Sequence, residues 1–372
     1  MLALVLAGGR GHRLKPLTDR RAKPVVPFAE QNLVDFTLEN CVRSGVKHVV
    51  VLAQYRADTV VEAVERCWAS HFETLQFLTP DRIGRAYRGT ADSVRAALAR
   101  DATSRSILVL AADHVYHMDY RPFLAAHRRR RVTATISVTP VPRAEASRFG
   151  VVELGVNHLV RRFLEKPARP PAMGASADES LASMGIYAFD RIALERYLSD
   201  FDRADDFGRD VLPGLLATGH KIAAYTFGAP GESSVWFDIA DVDAYHGALM
   251  DLKARNSEGL AVVEKCVVGN NVRIAVAAEV VECVLLDNVI IGADCRLRRV
   301  IVEDGVVIPP GTVLGYGEDP PWPGLHASAG GVLVLSAVPS RTPAPRPAAP
   351  RRAVPDPLLR RAAPSFPKAR RP

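Results

Sequence analysis

Leu2-Ala3-Leu4-Val5-Leu6-Ala7-Gly8-Gly9-Arg10-Gly11-His12-Arg13-Leu14 opens the chain. A short, unbroken apolar run leads into a glycine-rich turn that carries basic residues. Such a turn suits a polyphosphate: glycines let backbone N–H groups approach an anion, and Arg13 adds a fixed charge with forked donors. Lys23, in Arg21-Ala22-Lys23-Pro24, follows closely enough to face the same pocket. The loop is neither a Walker A loop, which ends in Gly-Lys-Ser/Thr, nor the dinucleotide fingerprint, where Leu14 stands at the last glycine position. A tight strand-to-loop connection is the plain alternative.

Outward from this stretch, residues 1 to about 250 alternate apolar strands with helical patterns. Strands are expected at Leu2–Ala7, His48–Ala53, Ser106–Ala111, Thr133–Val138 and Ile222–Phe227, and helices at about 33–44, 57–69, 91–100, 119–130 and 191–198. That alternation predicts an α/β, mainly parallel sheet covered by helices, with ligands at the carboxyl ends of its strands. From about 260 the pattern changes. Val262, Val268, Ile274, Val280 and Leu286 recur every six residues, Ile291 and Leu297 resume after a one-residue slip, and Val307 and Val313 keep the period. A six-residue aliphatic period predicts hexapeptide coils of a parallel β-helix.

The domains expected are therefore 1–255, 256–335 for the coils, and a Pro/Ala/Arg-rich tail over 336–372 that lacks apolar periodicity and reads as disordered. The chain has 372 residues and a net charge of +7. From Ala337 onward there are nine Lys/Arg against one Asp, so the residues before the tail sum to about −1. The globular part does not carry a basic, nucleic-acid-binding surface. No apolar run approaches the roughly 20 residues needed to span a bilayer, and no signal peptide is recognisable. The five cysteines, Cys41, Cys67, Cys266, Cys283 and Cys295, form no Cys-x-x-Cys pair, which fits a reducing cytoplasm.

Five further segments stand out. Ser106–Ala111 runs into Ala112-Asp113-His114, placing a carboxylate at a strand's carboxyl end, and Asp238 follows Trp236-Phe237. Two carboxylates suit Mg²⁺, which keeps several waters and takes further ligands from substrate phosphates; a helix cap or turn is the alternative role for either Asp. Phe163-Leu164-Glu165-Lys166-Pro167 ends a strand with an acid–base pair. There Lys166 can anchor a phosphate and Glu165 can accept hydroxyls, a surface ion pair being the alternative. Ser183-Met184-Gly185-Ile186-Tyr187 and Asp205-Asp206-Phe207-Gly208 read as polar turns beside apolar stretches.

Together, Ala7–Leu14, Arg21–Pro24, Tyr87-Arg88-Gly89-Thr90-Ala91-Asp92, Ala112–His114, Phe163–Pro167, Ser183–Tyr187, Asp206–Gly208 and Trp236–Asp238 resemble, in order, the motifs of bacterial glucose-1-phosphate adenylyltransferases. The resemblance covers about 1–250, and a left-handed β-helix also belongs to that family. It implies a Rossmann-like mixed sheet with nucleotidyltransferase activity: ATP and glucose 1-phosphate give ADP-glucose and pyrophosphate with Mg²⁺. It further implies Arg13, Lys23 and Asp113 as catalytic, Asp113 and Asp238 on Mg²⁺, and Gly8, Gly9, Gly11, Gly89 and Thr90 around the nucleotide. Tyr87, Gly150, Glu165, Lys166, Ser183 and Asp206 would meet glucose 1-phosphate, Tyr87 also forming part of the nucleotide wall. A homo-oligomer, tetramer or dimer, is expected, with neither nucleic acid nor membrane as partner.

The sequence also departs from that family. Phe28-Ala29-Glu30-Gln31-Asn32-Leu33-Val34-Asp35-Phe36 is a residue shorter than usual and lacks an Arg, and Trp236-Phe237-Asp238-Ile239-Ala240 replaces Trp-Arg-Asp-Val-Gly. The inter-domain linker is short, which puts ordinary allosteric control in question. Rival readings are another nucleotide or sugar phosphate, a regulatory subunit lacking catalysis, and a hexapeptide acyltransferase. The last needs a His in its coils, and none lies between His246 and His326.

Overall fold

The computed structural model describes residues 1–100, 104–174, 176–228, 235–256, 263–317, 319 and 321–336. The expected tail after Ser336, and Val262 of the six-residue period, lie outside the described residues. The chain forms two compact units: Met1–Arg10, Arg21–Val25 and Leu33–Trp236 make the first, and Gly11–Arg20, Val26–Asn32 and Phe237–Pro372 the second.

The first unit is built on a nine-stranded mixed sheet. Its elements are β1 (Leu2–Ala7), α1 (Leu33–Arg43), β2 (His48–Ala53), α2 (Ala57–Trp68), β3 (Thr74–Leu78), α3 (Thr90–Leu98), β4 (Ser106–Ala111), α4 (Tyr120–Arg130), β5 (Ala134–Pro142), β6 (Gly150–Leu154), β7 (Val160–Glu165), β8 (Glu179–Asp190), α5 (Arg191–Asp200) and β9 (Ile222–Thr226). The main path runs β7-β6-β8-β4-β1-β2-β3, with β5 beside β8 and β9 beside β5. β3, β2, β1 and β4 are parallel, while β8 is antiparallel to β4.

β1 shows why the opening run had to be apolar throughout. Leu2 and Leu4 enter the core on one face of the sheet, with Val50, Val94 and Val109. Ala3, Val5 and Ala7 enter the other, with Val34, Leu38 and Val51. Burial of this kind stabilises by about 1.5–3 kcal/mol per large aliphatic side chain. Chain order also matters: β2 lies on one side of β1 and β4 on the other. The strand order thus reverses at the β1/β4 boundary, where open α/β sheets leave a crevice at the strands' carboxyl ends.

The second unit contains the helix α6 (Val242–Asn256) and a left-handed β-helix. Val280 pairs with Leu297 and Leu297 with Leu314, so each of these coils takes 17 residues, as from Asn271 to Asn288, whereas the last pairing, Val300 with Leu333, spans 33. Three hexapeptides would need 18; one side of each coil is a residue short. The corners show the same rhythm. Asn271, Ala277, Glu282, Asn288, Asp294, Arg299, Gly305 and Gly311 all have positive φ, at spacings of six or five.

This corrects the six-residue reading at its later positions. The register slips once per coil, so Leu285, Ile308 and Leu314 enter the core while Val307 and Val313 are 59% and 41% exposed. Val268 keeps the inward register, paired with Leu285, but it has a neighbouring coil on one side only and stays exposed. α6 is bolted to the coils by Asp243, which accepts Ser328 Oγ at 2.6 Å and Gly330 N at 3.0 Å, and by His246 Nε2, 2.7 Å from the Glu282 carbonyl.

Candidate active site

Leu6 pairs with Ala111, and Ala112 N donates to Leu6 O at 3.2 Å, so the loops after β1 and β4 emerge side by side at the crevice. The first carries Gly8 and Gly9, the second Asp113. A Cβ at Gly8 would sit 3.4 Å from Gln54 Cβ, and one at Gly9 would meet nothing within 4 Å. This loop wall is therefore open.

Lys23 starts a short 3-10 turn and turns its ammonium inward, where Nζ meets Asp113 Oδ2 at 2.6 Å. The side chains are 11% and 32% exposed. Burial by itself would raise the Asp113 carboxyl, but Lys23, aided by His114, overcomes that and holds it at about 2. Asp113 is thus an anion at any physiological pH. Its second oxygen, Oδ1, stands 3.7 Å from His114 Nε2. His114 is fixed in turn by its Nδ1, 3.0 Å from the Met184 carbonyl, and by an edge-on contact with Trp236 at 5.4 Å.

β8 reaches this point through a bulge. Its register with β5 shifts between Ser183 and Tyr187, and Gly185 has φ +68. A Cβ there would lie 3.2 Å from Ala111 Cβ, so both the left-handed backbone and the close approach to β4 call for glycine. The stretch read from sequence as a turn is therefore the kinked middle of the longest strand.

The bulge leads to a second group of residues. Ser183 Oγ donates to Tyr187 Oη at 3.2 Å, and the Tyr187 ring stacks on Phe207 at 5.8 Å. Burial, with the charges of Glu165 and Asp206 nearby, pushes the Tyr187 hydroxyl upward. Glu165 ends β7 with one carboxylate oxygen nested between glycines: a Cβ would stand 2.3 Å from Oε2 at Gly208 and 3.1 Å from it at Gly150. Its Oε1 accepts Lys166 Nζ at 2.7 Å, and Lys166 is 60% exposed.

Asp206 caps the turn that follows it, Oδ1 accepting Gly208 N at 3.0 Å and Arg209 N at 3.1 Å. Its Oδ2 accepts Thr90 Oγ1 at 3.2 Å. An ionised carboxylate offers about four acceptor sites, so one side of Oδ2 is left for a further donor. Thr90 follows Gly89, where a Cβ would be 2.3 Å from the Asp205 carbonyl oxygen. Tyr87 is buried, and its peptide is held on both sides by Gln54, whose Oε1 accepts from Tyr87 N and whose Nε2 donates to Tyr87 O at 3.3 Å.

The first unit therefore gathers Gly8, Gly9, Lys23 and Asp113 at the switch point, Gly150, Glu165, Lys166, Ser183 and Asp206 beyond the bulge, and Tyr87, Gly89 and Thr90 along α3. Gly11, Arg13 and Asp238 belong to the second unit. Gly11 takes φ +62 and its carbonyl accepts Leu14 N at 2.9 Å and Thr18 Oγ1 at 3.0 Å. That turn presents Arg13 exposed, with no ion pair among the described residues. Asp238 ends the strand Trp236–Asp238 and is half-buried.

Sequence reading gave no role to Gln54, and quoted His114 and Asp92 only inside motifs. Gln54 directly follows β2, and its place at a strand's carboxyl end was the available signal. Among the described residues no group of three or more His, Cys, Asp or Glu is placed to hold a metal. The permanently ionised, partly exposed Asp113 oxygens nonetheless suit a hard divalent cation that takes other ligands from phosphates and water.

Comparison with known proteins agrees with this architecture. The nucleotidyl transferase family matches residues 2–255, and the GlmU-like C-terminal hexapeptide family matches 258–335. Glucose-1-phosphate adenylyltransferase 2 of Vibrio cholerae is 34% identical over 90% of this chain and 97% of its own length. The glucose-1-phosphate adenylyltransferase of Paraburkholderia phytofirmans is 35% identical over 86% of this chain and 90% of its own. That of Deinococcus radiodurans is 34% identical, covering 86% and 94%. Nucleotidyltransferases of this kind generally work with a divalent metal. No helix among the described residues is long and apolar enough to cross a membrane. Two-domain similarity over nearly the whole length, joined to an ionised carboxylate and a buried lysine at the sheet's switch point, makes the chain a member of the nucleotidyl transferase family, in the group of the glucose-1-phosphate adenylyltransferases.

Proposed function

We propose that this protein transfers AMP from ATP to glucose 1-phosphate, giving ADP-glucose, an activated glucosyl donor for glycogen or a related α-glucan, and pyrophosphate. The observation that carries the reading is the Lys23–Asp113 pair at 2.6 Å, seated beside the glycine loop. A phosphate oxygen of glucose 1-phosphate attacks the α-phosphorus of ATP in line. The new P–O bond forms as the bond to the bridging oxygen breaks, and pyrophosphate leaves. No protein nucleophile is required, so positioning and charge neutralisation carry the catalysis.

In this reading Gly8, Gly9 and Gly11 border the triphosphate, and Lys23 and Arg13 neutralise it and the departing pyrophosphate. Lys166 exchanges Glu165 for the sugar phosphate. Glu165 and the open side of Asp206 Oδ2 accept glucose hydroxyls, and Ser183 and Gly150 line the same end. Tyr87, Gly89 and Thr90 wall the nucleoside, with Tyr87 also near glucose 1-phosphate. Asp113 and Asp238 are the residues to hold Mg²⁺. When bound, the ion offsets phosphate charge and makes the α-phosphorus more electrophilic.

None of the five cysteines is joined in a disulfide, which supports a cytoplasmic setting, and the tendency of β-helix faces to stack on one another supports a homo-oligomer, checked by light scattering. The deciding assay is pyrophosphate release from the full chain with glucose 1-phosphate and Mg²⁺, comparing ATP, UTP, GTP, CTP and dTTP. Release with ATP far above the others is the expected result. Preference for another nucleotide would move the protein to a different sugar-nucleotide product. No release with any would reject the enzyme reading.

A further inference from the structure

Between β3 and α3 the chain passes through Gly84–Arg88, which carries Tyr87. This segment is tied down from the helix side by one carboxylate. Asp92, in the first turn of α3, is 1% exposed at its side chain. It accepts Arg85 Nη1 at 2.6 Å and Nη2 at 3.0 Å, Arg88 N at 3.1 Å and Arg95 Nη1 at 3.1 Å. Arg85 is half exposed, yet its fork is spent on a buried partner.

The same hub reaches a second segment. Arg95 donates to the carbonyls of Leu198, Phe201 and Ala204, the chain leading to Asp205 and Asp206. Arg88 Nη2 donates to Asp202 O at 2.7 Å, and its Nε is 3.1 Å from Asp205 Oδ1.

Tyr87 shows what these ties are for. Its hydroxyl is buried without a hydrogen-bond partner among the described residues, although the ring is only 7% exposed. An unsatisfied buried hydroxyl favours swinging the ring out to water. The ring belongs to the apolar core of the sheet, while its peptide is clamped by Gln54 and the adjoining Arg88 amide and Arg85 fork are tied to Asp92. A segment fixed by charge-assisted bonds before any ligand arrives costs less to order on binding.

We infer that Arg85 and Asp92 are positioning residues of the nucleotide subsite, holding Tyr87 in place for the nucleoside. The inference rests on the proposed function and adds a division of labour to it. Arg85 acts through the segment that carries Tyr87, whereas Asp92, through Arg95, also orders the segment that carries Asp206.

The test compares Arg85→Gln and Asp92→Asn with the wild-type chain by steady-state kinetics, melting temperature, and trypsin cleavage after Arg88. Arg85→Gln should raise KM for ATP about tenfold and KM for glucose 1-phosphate by a smaller factor, with kcat within about twofold. Asp92→Asn should raise both KM values; should it fail to fold, Arg85→Gln decides by itself. Arg85→Lys, which cannot make the forked contact, should not restore the ATP KM. An Arg85→Gln enzyme with unchanged KM for ATP overturns the inference, even if trypsin cuts it faster, because the strap is then structural only. A wild-type chain inactive with every nucleotide overturns the proposed function instead.

Discussion

Two lysine–carboxylate pairs stand in the first unit at almost the same separation, 2.6 Å for Lys23–Asp113 and 2.7 Å for Lys166–Glu165. Their surroundings differ. Lys23 is 11% exposed and Lys166 60%. Lys23 has surrendered most of its hydration, so it needs Asp113, and removing that partner strands its charge. The exposed pair gains little from its contact, because water and salt screen it. In the proposed function that weakness is useful: Lys166 would leave Glu165 for a substrate phosphate at small cost, while Lys23 and Asp113 hold their geometry before substrate arrives. Equal distances thus describe a preorganised element in one place and an exchangeable one in the other.

Asp113→Asn should produce the largest effect, a fall in kcat of about 10³-fold with near-normal far-UV dichroism, since it removes the charge that neutralises the reacting phosphates' counter-ions and Lys23. Near-normal turnover in that variant would erase the distinction between the two pairs. Lys166→Ala should act through binding, raising KM for glucose 1-phosphate roughly 10- to 100-fold, with a smaller change in kcat. If kcat falls as steeply as with Asp113→Asn, Lys166 belongs with the preorganised group.

Acid titration extends the comparison to a third carboxylate. Burial opposes ionisation of Asp92, but Arg85, the Arg88 amide and Arg88 hold it at about 2. A lowered folded value means its contribution is complete above the unfolded value of about 4 and disappears as pH falls to about 2, amounting to about 2–3 kcal/mol. Unfolding in urea from pH 5 to pH 2 should show this loss shrinking in Asp92→Asn; identical slopes would remove Asp92 from the account. Smallest of all, Lys166→Ala should leave stability within about 0.5 kcal/mol of wild type by thermal melts. A clear drop would mean the exposed pair carries more of the fold than its screening allows.

Much of this arrangement was legible in the chain. β1, β2 and β4 match their apolar runs residue for residue, because strands buried on both faces need no alternation and tolerate no charge. β8 was not legible. Ser183, Met184 and Gly185 interrupt its pattern, and its partners β4, β5, β6 come from distant stretches. The coils were recognisable by their aliphatic period, but a 17-residue coil moved Val307 and Val313 outward, and that count depends on corner geometry. Asp206 illustrates a similar limit. Sequence suggested a polar turn, which the family resemblance sets against glucose, and the folded chain makes it a cap with one acceptor side to spare.

By itself the sequence determined the α/β and β-helix architecture, the family, and the identity of most charged residues at the crevice. These follow from local apolar periodicity and from motifs that keep their order. Only the tertiary structure decided which charges are spent on one another. Lys23 with Asp113, Arg85 with Asp92 and Gln54 with Tyr87 are 90, 7 and 33 residues apart, brought together by strand order and helix position. Whether such a pair is preset or exchangeable depends on how much water the surrounding chain removes, and solvent exposure is a property of the packed molecule rather than of any segment in it.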